Sequence, residues 1–155
     1  MKSMIHAHLD GEKVFPKGEK KEIVEGISNI VAEPKSSAAS KKKIRDAFLR
    51  HMHEKGWSGE VVVSKDSGIT VTSTKSAVGL VLQMGNMSRI YADLMKLQAL
   101  YMDGHIKAAA FVVPSATVAK KLGSNIAAST RLIRELEIFR KVYTVPTLVF
   151  ALEEQ

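Results

Sequence analysis

Residues 77–84, Ala-Val-Gly-Leu-Val-Leu-Gln-Met, form an uncharged apolar run broken by one amide, Gln83. A run of this length, rich in branched side chains, reads as a strand buried on both faces. Such a strand needs packed structure around it, which restricts the chain to a layered fold. Its end is less easily explained. Gln83-Met84-Gly85-Asn86 places two amides and a glycine where a buried strand needs none. Either the strand end emerges at the surface, where such residues are ordinary, or the amides face a ligand.

Periodicity supplies the remaining elements. Residues 10–18, with Gly11, Pro16 and Gly18, read as a turn-rich opening. Ile23, Ile27, Ile30 and Val31 recur at helical spacing over residues 19–32. Residues 33–40 form a loop in which Ser40 is placed to cap the next helix. That helix runs to about residue 55, buries Ile44, Phe48, Leu49 and Met52, and ends at Gly56. Strands are expected at 60–64, 69–74 and 77–84, with Asp66-Ser67-Gly68 and Lys75-Ser76 as turns. A helix over 88–102 sets Ile90, Leu94, Leu97 and Tyr101 on one face, where Met95 and Met102 suit a core or a dimer surface. A strand at 107–113, helices at 118–122 and 127–142, and a strand at 147–152 complete the chain. A meander followed by a crossover helix and a further strand predicts an α/β fold with a central mixed β-sheet flanked by helices. Residues 1–155 are expected to form a single domain.

The formal net charge of +7 bears on partners. Each lysine or arginine set on a phosphate releases counterions, so a basic surface attracts nucleic acid; surplus lysine also serves solubility. No cysteine is present, which excludes disulfides and thiolate metal sites and suits a reducing compartment. Without a secretory h-region or an apolar run of membrane-spanning length, the sequence predicts a soluble, cytoplasmic protein with no membrane partner. It carries no P-loop, dinucleotide glycine motif or nucleophile elbow. His6-Ala7-His8 offers two imidazoles and no evident third ligand, so no metal site is assigned there.

Val81-Leu82-Gln83-Met84-Gly85-Asn86, followed by a helix bearing Tyr91-Ala92-Asp93-Leu94, resembles the signature of the BglII- and BstYI-type restriction endonucleases of the PD-(D/E)XK superfamily. Further likenesses lie in His8-Leu9-Asp10-Gly11, Glu54-Lys55-Gly56-Trp57, the segment from Asp103-Gly104-His105-Ile106 to Val113-Pro114, and Val145-Pro146-Thr147-Leu148-Val149. The resemblance implies a restriction-endonuclease-like core and a homodimeric, magnesium-dependent endonuclease acting on duplex DNA. An aspartate and a glutamate would hold the ion that polarises the scissile phosphate and activates the attacking water. The family spacing is Asp, eight residues, Glu, one residue, Gln. With Gln83 as the last member, Val81 stands at the glutamate position and Thr72 at the aspartate position. A hydroxyl and an isopropyl group do not replace two carboxylates on magnesium.

The expectation is therefore a degenerate, catalytically inactive member that binds double-stranded DNA as a homodimer and needs no cofactor. Thr72, Val81 and Gln83 mark the degenerate site. Lys41, Lys42, Lys43, Lys120, Lys121 and Arg131 are the expected phosphate contacts, and Gln83, Asn86, Ser124 and Asn125 the groups facing the duplex. Two alternatives stay open. One is a regulatory module with a protein partner and no DNA. The other is a magnesium enzyme whose acids have moved, with Asp66, Glu60, Glu22 or Glu25 as the replacements.

Overall fold

The apolar runs lie side by side. In the computed structural model, which describes residues 1–155, β5 (Val78–Leu82) pairs in parallel with β6 (Ala108–Pro114), and β6 in parallel with β7 (Thr147–Glu153). Every residue of β5 and β6 is buried, as a parallel sheet covered on both faces requires. β4 (Ser73–Lys75) lies antiparallel along the outer edge of β5. β1 (Lys2–His8) lies antiparallel along β7, giving the order β1-β7-β6-β5-β4. This is the mixed sheet that the element order predicts.

Strand alternation divides the interior into two layers. Ala108, Ala110 and Val112 of β6 point to one face, covered by α2 (Lys17–Ser28) and α3 (Ala38–Glu54) through Ile23, Ile27, Ile44, Phe48 and Met52. Ala109, Phe111 and Val113 point to the other, covered by α4 (Arg89–Met102) and α6 (Ser129–Ile138) through Ile90, Leu94, Leu97, Leu132 and Leu136. Each such fully buried side chain contributes roughly 1.5–3 kcal/mol relative to exposure, which is what fixes the helices on the sheet. Val81 belongs to the α4 side and Leu82 to the α3 side. The same alternation carries Gln83 back to the α4 side. No helix is long and apolar enough to cross a membrane.

Several local expectations are corrected. The turn-rich segment 10–18 holds a short helix, α1 (Gly11–Val14), and an unexpected strand, β1, precedes it. β1 is mostly exposed and polar, and it forms because all seven of its residues pair with β7. α2 begins at Lys17, directly after Pro16, and stops at Ser28. Ile30 is buried outside the helix, with the N-terminal amino group bonded to its carbonyl at 2.6 Å, while Val31 is exposed. Ser37, not Ser40, caps α3, its hydroxyl accepting from the Ser40 backbone N–H at 3.1 Å. The Ser40 hydroxyl is buried and bonds the Glu33 carbonyl at 2.7 Å. The expected strand 69–74 splits at Thr72: β3 (Thr70–Val71) pairs with β2 (Val61–Val62) in a separate two-stranded sheet, and only β4 joins the main one. α6 ends at Ile138, four residues before the expected boundary at 142.

Candidate functional site

The split at Thr72 opens a polar cavity of about 240 Å³ at the corner between β3, β5 and α4. Thr72, Val81 and Gln83, the three positions aligned by spacing, all line it. The Thr72 hydroxyl accepts from the Leu82 backbone N–H at 3.1 Å, bridging the gap between β4 and β5. The backbone N–H of Gln83 continues the sheet ladder to the Val112 carbonyl at 2.9 Å. Its side-chain amide is used at both ends: Oε1 accepts from Gly85 N at 2.9 Å, and Nε2 donates to Asp93 Oδ2. Asp93 is buried on α4, and its other oxygen pairs with Lys96 Nζ at 3.1 Å.

This geometry explains the Gln-Met-Gly-Asn ending. A Cβ on Gly85 would stand 2.9 Å from Gln83 Oε1 and 3.5 Å from the Arg89 guanidinium. Glycine lets the chain fold back on the amide. Asn86 Oδ1 accepts from the backbone N–H and hydroxyl of Ser88 at 2.9 and 2.8 Å, bracing the start of α4. Both amides therefore have structural work; Asn86 is also exposed.

A second group of predicted residues meets along a rim. Met87 N donates to the Asn125 carbonyl at 2.9 Å and Ala127 N to the Gly85 carbonyl at 2.8 Å. This short antiparallel bridge pairs Asn86 with Ile126 and brings its strand end to the exposed Ser124-Asn125 turn, with Asn125 in the left-handed region at φ 53°. The chain reaches this loop from α5 (Ala116–Leu122), which carries Lys120 and Lys121. A Cβ on Gly123 would lie 3.5 Å from the Ser36 hydroxyl, so the loop abuts the start of α3 and its Lys41-Lys42-Lys43 run. Lys42 pairs with Asp46 and Lys121 with Glu154, both at exposed sites, where such pairs are worth little. Lys41, Lys43 and Lys120 enter no ion pair. Arg131 has partners within the chain: its Nε donates to Glu135 at 2.7 Å and its Nη2 to the Tyr91 hydroxyl at 3.3 Å. The Glu135 bond raises the guanidinium pKa further.

The relocated acids divide. Asp66 sits in an exposed turn at φ 63° and does not line the cavity. Glu60 does line it, 3.9 Å from Arg45. Glu22 is taken by Lys75 and Trp57 at 2.7 and 2.8 Å. Burial pushes its carboxyl up, but those donors outweigh it and hold the pKa below the ordinary value. Arg89 and Lys96 went unnoticed in the sequence. The available signal was spacing, since Arg89, Asp93 and Lys96 share one face of α4 immediately after the strand that ends on Gln83.

These residues do not fit a magnesium ion. The cavity has two carboxylates, Glu60 and Asp93, and three cations, Arg45, Arg89 and Lys96. Asp93 already serves Gln83 and Lys96, and no group of three His, Cys, Asp or Glu side chains is close enough to share a metal. Octahedral coordination by anionic oxygen is not offered here.

The opposite side of α4 presents an apolar groove of about 430 Å³ against the end of α6. Tyr91, Met95, Met102, Phe139 and Val142 line it, and Met95, Met102 and Val142 are more than 70% exposed. Tyr91 and Phe139 meet edge to face at 6.4 Å.

Residues 4–152 match the family model of the restriction endonuclease BglII/BglIII. The chain belongs to this family. Among solved structures, BglII complexed with a DNA 16-mer superposes with a TM-score of 0.85 at 14% identity, covering 100% of this chain and 78% of that one. Free BglII gives a TM-score of 0.65 at 16% identity, covering 100% of this chain and 81% of that one. No curated protein matches the chain.

Proposed function

We propose that this protein binds double-stranded DNA as a homodimer without cutting it. One observation carries the reading: at the three positions where cutting relatives would have two acids and Gln, the corner holds a hydroxyl, a valine and an amide bonded at both ends, and its carboxylates Glu60 and Asp93 are set against three cations. Without paired carboxylates there is no means of activating water through a divalent ion. The rim beside this corner retains what duplex binding needs. Lys41, Lys43 and Lys120 supply unpaired charge for phosphates, and Asn86, Ser124 and Asn125 supply exposed polar groups. A solved relative of the same fold is described as complexed with DNA, which favours the same partner here.

The expected result is duplex binding, followed by fluorescence anisotropy, that weakens steeply with salt. Six phosphate contacts correspond to a slope near −5 in log K against log salt, a loss of roughly a thousandfold between about 50 and 200 mM. Plasmid incubated with magnesium or manganese stays supercoiled. Nicking that disappears on changing Glu60 would restore the relocated-acid enzyme, and absence of duplex binding at low salt would leave the regulatory module.

Dimerisation is assigned to the α4–α6 groove. Exposed methionine and valine around an aromatic pair form a continuous apolar face of the kind that protein contacts cover. Light scattering on the eluted protein should give twice the 155-residue chain mass. Met95→Glu together with Val142→Glu should halve it, because each copy would then place uncompensated charge in the contact. A wild-type monomer at micromolar concentration refutes the assignment.

A further inference from the structure

We propose that the corner cavity is an anion site, in which Arg45, Arg89 and Lys96 hold a phosphodiester of the DNA backbone where a metal-using relative would hold its cation. The inference rests on the DNA-binding reading above and deepens it. Three features of the cavity support it. Its cations outnumber its carboxylates, three against two. Those cations are also only partly engaged: Arg89 has no carboxylate partner, Arg45 has a single 3.9 Å contact with Glu60, and Lys96 gives Asp93 one bond at 3.1 Å. Two guanidinium groups and an ammonium therefore keep most of their N–H donors for something else. Finally, the positions are built rather than incidental. The buried Asp93 orients both Lys96 and Gln83, and the Arg89 guanidinium lies against the Gly85 turn.

The chemistry selects the ligand. A tetrahedral phosphoryl group presents anionic oxygens in the geometry that guanidinium forks match, and the bonds are charge-assisted. A divalent cation meets repulsion from the same three side chains. The corner lies at the end of β5, from which the Gly85–Ala127 bridge leads to the basic rim, so one backbone strand can meet rim and cavity together. Asp93 is a positioning residue; Arg45, Arg89 and Lys96 are the contacts.

The test compares wild type, Arg89→Ala, Arg45→Ala/Arg89→Ala and Lys41→Ala/Lys43→Ala on one duplex. It is run in EDTA and in magnesium at matched ionic strength, with melting curves to verify folding. A phosphate-contacting cation accounts for about one unit of salt slope and the homodimer carries each substitution twice, so the slope should fall by about 2 for R89A and about 4 for the double variant. Magnesium should not tighten wild-type binding. Titration with inorganic phosphate against chloride, read as a change in melting temperature, forms the second arm. A slope change without a phosphate-dependent shift identifies the DNA backbone as the ligand, as proposed. A shift lost in R89A without any slope change identifies free phosphate instead and overturns the backbone assignment. If Lys41→Ala/Lys43→Ala weakens duplex binding while R89A and the double variant match wild type in both arms, the cavity proposal fails and the DNA-binding reading survives. Magnesium-dependent tightening also overturns it. If wild type binds no duplex, the functional reading and the backbone assignment fail together, and the phosphate arm still decides whether the cavity takes anions.

Discussion

Replacing Gly11 by alanine should destabilise the protein by about 3 kcal/mol, the upper end of the range for forcing a methyl into a filled space. Gly11 opens α1 directly after β1 and lies against the first residue of β7. A Cβ there would stand 2.4 Å from the Thr147 carbonyl oxygen and 2.8 Å from its carbon. Both are backbone atoms, so no rotamer change relieves the overlap. Thr147 itself is fully buried, its hydroxyl bonded at 2.8 Å to both the Tyr143 hydroxyl and the Val145 carbonyl. His8 pairs with it across the sheet. The clash must therefore displace α1 and the β1–β7 register. For a chain of this length the corresponding fall in Tm is roughly 10 °C. Gly18→Ala is the control: its Cβ meets nothing within 4 Å, and alanine favours the helical backbone, so Tm should hold or rise slightly. A Gly11→Ala protein that melts with wild type would show that α1 does not pack this closely on β7.

Asp93→Ala should cost about 2–3 kcal/mol. Asp93 is the only buried aspartate, and it holds Gln83 and Lys96 together. Removing one partner of a fully buried pair costs about 3–5 kcal/mol, because the other charge is left without compensation. Lys96 keeps a quarter of its side chain in solvent, which sets the effect below that range. The Gln83 Nε2 donor loses its acceptor as well. Asp93→Asn removes the charge but keeps an acceptor for the amide, so it should recover part of the loss. Urea denaturation separates these outcomes through the midpoint at unchanged m. If Asp93→Ala and Asp93→Asn are equally stable, the charge on Lys96 rather than the Gln83 bond is what Asp93 balances. If neither differs from wild type, the corner is not held by this network.

The strongly apolar elements were legible because their composition leaves little choice. β5, β6 and β7 are continuous runs, and α4 has a regular apolar face beside them. β1 was not legible, since KSMIHAH is mostly exposed and becomes a strand only through pairing with β7. The split at Thr72 was equally hidden. Local sequence favours one β-branched strand from Ile69 to Thr74, whereas β2 and β5 compete for its two halves. At the site, the spacing from Gln83 located Thr72 and Val81, which do share the cavity. Asp66 and Glu60 were equal candidates as replacement acids on neighbouring elements, and of these two only Glu60 lines the cavity. Of the cations expected at phosphates, Lys42 and Arg131 pair with Asp46 and Glu135 one helical turn on, a spacing visible in the sequence, whereas Lys121 meets Glu154 only in the folded chain.

What the sequence determined alone was the order of the strongly apolar strands and of the main helices, and the absence of the two acids, since both depend on residue type and local spacing. The tertiary structure decided what stands in their place. Arg45 comes from α3, Arg89 and Lys96 from α4, and Glu60 from the stretch before β2. They share one cavity because two helices pack on opposite faces of the sheet and reach its open corner from both sides, which no single segment encodes.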